Sequence, residues 1–181
     1  METLEKRIIW LAGFTDGEGT ITVFTHLDNS DGYNFRRYQA QYSIVNTNPV
    51  LINEVQKILN ELEVSSHLMT RKRQNENHSD ALQLNVRKLT CLVKLLTSLI
   101  PYLIGKKAQA ELALRFVQSR LARPPVKNGY SPYNDEEKEI SKSLYSLNKK
   151  GCFKSSETIR QTPKGDDIVR TAGKPAELML V

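Results

Sequence analysis

A helical stretch followed by two alternating strands occurs twice in this chain, and that repeat restricts the fold more than any other feature. Residues 4–16 place Leu4, Ile8, Leu11, Ala12 and Thr15 at the helical period. Two strand-like runs follow, at about residues 20–26 and 35–45, separated by the turn signal Asp28-Asn29-Ser30-Asp31-Gly32. In the second run Tyr38, Ala40, Tyr42 and Ile44 alternate with Arg37, Gln39, Gln41 and Ser43. Asn48-Pro49 starts the next helix, Asn as its cap and Pro at the first helical position. Leu51, Ile52, Val55, Ile58, Leu59 and Leu62 form its apolar stripe. A second strand pair, residues 66–73 and 80–87, flanks the polar loop 74–79. Each pair has one apolar face and one polar to basic face, so helices are expected behind the sheet and a partner in front.

Residues 89–100 and 105–122 read as two more helices, separated by Pro101. Pro124-Pro125 and Asn128-Gly129 break the pattern before Asn134 and Glu137, which form a capping-box pair. Ile140, Leu144 and Leu147 give that last helix a narrow stripe, which predicts a helix lying on the surface. From residue 148 the chain is rich in Lys, Ser, Thr and Gly and has little periodicity. The expected organisation is one domain over residues 1–147 and a loosely ordered tail over 148–181.

Charge and cysteine content narrow the partners. The net charge is +6 and the pI about 9.3, which favours a polyanion. Cys91 and Cys152 are too few for a disulfide framework and lack zinc-site spacing, so both are expected as free thiols in an intracellular, reducing compartment. Glu2 and Glu5 interrupt any signal-peptide pattern. The apolar segment 91–104 is too short to span a membrane, so no membrane association is expected.

The first helix runs into Leu11-Ala12-Gly13-Phe14-Thr15-Asp16-Gly17-Glu18-Gly19. Gly13 and Gly17 share one helix face that has no side chain, which lets a second helix come close. Gly17 and Gly19 suit the left-handed conformation that ends many helices. Glu18 is thereby presented at a helix end, where the negative end of the dipole slightly disfavours a carboxylate. This stretch resembles the signature motif of the LAGLIDADG homing endonucleases, with Leu11, Ala12, Gly13, Asp16 and Gly19 identical and Glu18 in place of the second Asp.

The resemblance covers roughly residues 4–125. It implies an α+β fold of αββαββα order, with a saddle-shaped antiparallel DNA-binding sheet and additional C-terminal helices. It implies a site-specific double-strand DNA endonuclease of intron or intein homing, acting on a long pseudo-palindromic target. Only one motif is present, and single-motif members act as homodimers. Leu11, Ala12, Gly13, Asp16 and Gly17 are then the expected dimer contact.

Glu18 is the expected catalytic metal ligand, with the Gly17 carbonyl as a further ligand. The cation expected is Mg²⁺ or Mn²⁺, with Ca²⁺ as a non-catalytic substitute and no small-molecule cofactor. Lys106 follows Pro101-Tyr102-Leu103-Ile104-Gly105, similar to the family's context for a lysine near the scissile phosphate. Asn46, at the end of a strand, matches a polar position that holds water around the metals. An ordinary exposed lysine and a loop asparagine are the structural alternatives for these two.

The polar strand faces supply the candidates for reading double-stranded DNA: Thr22, Phe24, His26, Arg37, Gln39, Gln41, Ser43, His67, Met69, Arg71, Arg73, Gln83, Asn85 and Arg87. Two-stranded ribbons fit the major groove, where Arg suits guanine and Gln or Asn suits adenine. A solvated sheet face is the alternative for any one of them. His26, His67 and His78 show no metal-site spacing. An RNA maturase of the same fold and a non-catalytic DNA-binding relative are the alternative functions.

Overall fold

The computed structural model describes residues 3–28, 35–72, 79–123 and 131–149. The order is helix α1 (Leu4–Glu18), strands β1 (Gly19–Asp28) and β2 (Phe35–Asn46), helix α2 (Pro49–Glu61), and strands β3 (His67–Arg71) and β4 (Ala81–Val86). Helices α3 (Leu89–Leu99), α4 (Lys107–Leu121) and α5 (Asp135–Asn148) complete it. The expected αββαββα order with additional C-terminal helices is therefore present. The strands form one antiparallel sheet in the order β1-β2-β4-β3.

Local chemistry explains where the helices start. Asn48 Oδ1 accepts the Val50 N–H at 2.9 Å, and Pro49 supplies a first residue with no N–H to satisfy. At α5 the capping box closes both ways, Glu137 N–H to Asn134 Oδ1 at 2.8 Å and Asn134 N–H to Glu137 Oε2 at 3.1 Å.

The end of α1 differs from expectation. The helix continues to Glu18, so Gly17 is helical, and Gly19 is extended at φ −76° and ψ 157° instead of left-handed. Glycine is required at 19 for space. A Cβ there would lie 2.8 Å from both the Thr15 carbonyl oxygen and its Cγ2.

Behind the sheet, Ile21, Val23, Ala40, Tyr42, Ile44, Leu84 and Val86 meet the apolar faces of the helices in one core. Leu11, Ala12 and Thr15 enter that core from α1. The Thr15 and Tyr42 hydroxyls share a buried hydrogen bond of 2.8 Å, which ties the motif helix to the central strand. Burial pushes the Tyr42 hydroxyl pKa up against the opposing effect of that bond, so the phenol stays protonated. Tyr42→Phe leaves the Thr15 hydroxyl unpaired in the core. The expected cost is about 1–3 kcal/mol, read as a lower urea midpoint at unchanged slope.

Helix α5 is more than a surface helix. Glu137, Ile140, Ser141 and Leu144 are buried against α4 and β1, while Leu147, expected in the stripe, is largely exposed. Its polar groups complete an edge strand. Ser141 Oγ donates to the Val23 carbonyl at 2.9 Å and Asn148 Nδ2 to the Ile21 carbonyl at 2.9 Å. The helix thus satisfies backbone oxygens of β1 that have no strand on that side, and it covers an edge open to unwanted pairing. The expected tail beyond Lys149 lies outside the described residues.

Candidate active site and nucleic-acid face

The motif helix delivers its last residues to one end of the sheet. Gly19 pairs with Ile44, so Asn46, two residues further along β2, ends at the same end as Glu18. Asp16 and Lys106 lock this end together reciprocally. The Asp16 carboxylate accepts backbone N–H groups from Ile104 at 2.8 Å, Gly105 at 3.1 Å and Lys106 at 2.8 Å. Lys106 Nζ donates to the Thr15 carbonyl at 3.0 Å and to the Asp16 carbonyl. A cation therefore sits on carbonyls at the negative end of α1, in the turn that carries Glu18. Lys106 is half-buried by this role, so it is not the freely solvated lysine of the structural alternative.

Burial raises the Asp16 pKa, but the three backbone donors and the Lys106 charge outweigh it and hold the carboxyl below its ordinary 3.8. A depressed carboxylate stabilises the fold above the unfolded-state value, and that contribution disappears as pH falls through the folded-state value. Asp16→Asn is thus expected to be less stable than wild type at neutral pH. In an acid titration of unfolding stability the gap should close below about pH 4, and a gap independent of pH would contradict the clamp.

The Glu18 carboxylate is exposed and has no hydrogen bond or ion pair among the described residues. Asn46 Oδ1 accepts the Asn48 N–H at 2.8 Å, the local backbone role of the structural alternative, at the edge of the same site. Among the described residues no group of three or more His, Cys, Asp or Glu side chains could hold a metal.

The exposed side of α1 carries Ile9, Trp10, Gly13 and Gly17, with Trp10 stacked on Phe14 at 5.1 Å between ring centroids. Apart from the neighbouring backbone of α1 itself, no atom of the described residues comes within 4 Å of a Cβ built on Gly13 or Gly17, so that groove is open among the described residues. Leu11 and Ala12, expected at a dimer contact, are instead fully buried in the chain's own core. The helical period turns them to the opposite side from Gly13 and Gly17. Asp16 likewise directs its carboxylate into its own chain.

The strand register puts the DNA-reading candidates on the face away from the core. Thr22 pairs with Gln41, Phe24 with Gln39, His26 with Arg37, and Ser43 with Asn85. Asn85 and Gln83 pair in turn with His67 and Met69 of β3, and Arg71 with Ala81. Arg73 lies outside the described residues. Two of the set are not accessible: Asn85 is 2% exposed and Ser43 7%. Asn85 instead accepts Gln41 Nε2 at 2.9 Å and Gln83 Nε2 at 2.8 Å on one oxygen, while Arg87 Nε donates to Gln41 Oε1 at 2.9 Å. No acidic side chain is among the candidates, so the face suits a polyanion.

The sequence reading missed the partners of Asp16, since the N–H groups it binds lie 88–90 residues away. A short polar residue at a helix end was the only available signal.

Comparison with known proteins agrees with this architecture. The LAGLIDADG endonuclease family profile matches residues 11–118. No curated protein matches the chain. Among solved structures, the archaeal intron-encoded homing endonuclease I-Vdi141I in complex with DNA superposes with a TM-score of 0.62 at 18% identity, over 82% of this chain and 88% of that one. The homing endonuclease I-CvuI, in complex with the I-CreI target in the presence of Mg, gives 0.53 at 22% identity, over 80% and 78%. The LAGLIDADG homing endonuclease I-GzeII with its DNA target gives 0.52 at 18% identity, over 77% of this chain but 43% of that one. At these identities the structures show the shared fold, and the profile, spanning more than half of the sequence, shows the family: the chain belongs to the LAGLIDADG endonucleases.

Proposed function

We propose that this chain is a homodimeric, divalent-metal-dependent endonuclease that cuts both strands of a pseudo-palindromic DNA target, in the service of intron or intein homing. The observation that carries the reading is the exposed Glu18 carboxylate, without a partner among the described residues, at the end of a helix whose exposed side carries an open glycine groove. Two such helices packed through Gly13 and Gly17 bring two Glu18 carboxylates together near a two-fold axis.

The donor set fits a hard cation. Glu18 and the Gly17 carbonyl would offer oxygen ligands to such an ion, with the second copy, phosphate oxygens and water supplying the rest. A Mg²⁺ or Mn²⁺ ion there would polarise the phosphate and acidify the attacking water. Lys106 holds the end of α1 and places a positive charge beside the site, where it attracts the phosphate. Asn46 lies at that end of the sheet, where it would hold water around the ion. The sheet face reads the duplex, Arg37, Gln39, Gln41, Arg71 and Gln83 from the major groove and others through phosphates or water.

Incubation with a randomised duplex library in Mg²⁺, with an EDTA control, tests this reading. Recovery of paired cuts with a two-fold related consensus is expected only with the metal. Uptake of structured intron RNA with no DNA cutting would favour a maturase. Binding to duplex without cutting would favour a non-catalytic relative. Gly13→Leu fills the groove and is expected to convert a micromolar dimer to monomer in sedimentation; an unaffected dimer would place the contact elsewhere.

A further inference from the structure

Arg87, Gln41, Asn85 and Gln83 form a hydrogen-bonded chain on the sheet face, and its direction is dictated at one end. Arginine has donors only. Arg87 Nε therefore forces Gln41 to face it with Oε1, at 2.9 Å. Gln41 must then turn Nε2 toward Asn85, which answers with Oδ1 at 2.9 Å. With Oδ1 on that side, Gln83 also has to present Nε2, and it does so at 2.8 Å. The amide of Asn85 is left over: its Nδ2 is buried and has no hydrogen-bond partner among the described residues.

An unpaired buried donor is costly, so its persistence needs a reason. Reversing Asn85 would turn Nδ2 toward Gln41 and Gln83. Gln83 could reverse with it, but Gln41 could not, because its Nε2 would then face Arg87 Nε donor to donor. The orphaned Nδ2 follows from the polarity set by Arg87.

We propose that Asn85 is a positioning residue that fixes the donor–acceptor orientation of Gln41 and Gln83 for base reading, with Arg87 setting the sign. This rests on the DNA-cutting reading. Asn85 does not itself touch the base edges, since it is 2% exposed. A glutamine amide that rotates freely accepts or donates equally well at each end and discriminates weakly. One pinned through a single N–H keeps its other N–H and its oxygen in a fixed order, the order that distinguishes adenine from other bases. Specificity at the base pairs under Gln41 and Gln83 thus depends on two residues that need not contact them.

The test is a binding profile of the full chain on duplexes that differ from the recovered target at one base pair. Gln41→Ala and Gln83→Ala first assign the pairs that each glutamine reads. Asn85→Leu is expected to reduce discrimination at those pairs about tenfold. Its affinity for non-specific duplex and its salt slope should stay at wild-type values. Asn85→Asp keeps an acceptor for both glutamines and is expected to retain the discrimination. Arg87→Met is expected to relax it at the Gln41 pair although Gln41 is intact. Unchanged discrimination in Asn85→Leu, or equal loss in Asn85→Asp, overturns the proposal.

A readout without DNA separates this from the nuclease reading. The side-chain amide resonances of Gln41 and Gln83 are expected to be shifted by their hydrogen bonds in wild type and to move to free-amide positions in Asn85→Leu. Free-amide positions in wild type would overturn the relay. Absence of any duplex binding alongside shifted amides would remove the nuclease reading and leave the relay standing.

Discussion

Glu18→Gln is expected to abolish DNA cleavage while leaving DNA binding close to wild type. The substitution preserves size and shape but exchanges an anionic oxygen pair for a neutral amide. Hard divalent cations bind anionic oxygen far better than a neutral amide oxygen, so the site loses most of its hold on the ion. The ion's polarising effect is worth several kcal/mol at about 1.4 kcal/mol per tenfold, so the loss in cutting rate is on the order of a hundred- to ten-thousandfold. Folding should be unaffected, because the carboxylate is exposed and no described residue pairs with it. Binding should persist because the candidate readers lie on β1 to β4 and not at the helix end. Gel-shift and cleavage assays on the same duplex separate the two effects. Cleavage retained at the wild-type rate would remove Glu18 from the chemistry.

Glu137→Ala is expected to be the most destabilising single change outside the apolar core. The carboxylate is 0% exposed and joins α5 to α4. It accepts Ser119 Oγ at 3.0 Å, pairs with Arg123 at 2.9 Å and Arg120 at 3.7 Å, and closes the capping box with Asn134. Arg120 also lies 4.3 Å over the Tyr133 ring, whose hydroxyl donates to the Tyr38 carbonyl at 2.9 Å. Removing the carboxylate leaves two partly buried guanidinium groups facing each other without an anion. Their residual exposure moderates the loss, so about 3 kcal/mol is expected, the lower end for a broken buried pair. For a chain of this size that corresponds to roughly 6–12 °C in melting temperature. Detached α5 would also expose the Ile21 and Val23 carbonyls on the β1 edge, so the variant should aggregate more readily on heating. A thermal melt superimposable on wild type would contradict the latch.

Much of the fold was legible because its signals are local. Periodicity marked the helix and strand-pair repeat, Asn48-Pro49 marked a helix start, and Asn134 with Glu137 marked another. Alternation also assigned each strand residue to a face, which the register reproduces for Thr22, Gln41, Asn85 and Met69 alike. Alternation carries no information on depth. Asn85 and Ser43 are polar-face residues, yet they sit on the inner strands β2 and β4, where neighbouring side chains cover them.

The less legible parts depend on groups distant in the chain. Leu11 and Ala12 are motif residues, but the core claims them, and only the helical phase relative to the sheet decides that. Gly19 was attributed to backbone conformation when its reason is crowding by Thr15. Helix α5 presented a thin apolar stripe because much of its docking is polar, through Glu137, Ser141 and Asn148. Hydrophobic periodicity does not register such contacts.

The central claim is that two copies of the chain build the cutting site, each contributing one Glu18. Mixing wild-type subunits with an equal amount of Glu18→Gln subunits, with full exchange, tests it directly on the recovered target. If both carboxylates are needed, only pairs with two wild-type subunits cut both strands, and double-strand cleavage falls to about one quarter of that of the same total protein as wild type. A fall to only about one half, the result if a single active copy cuts both strands on its own, would contradict the need for two carboxylates.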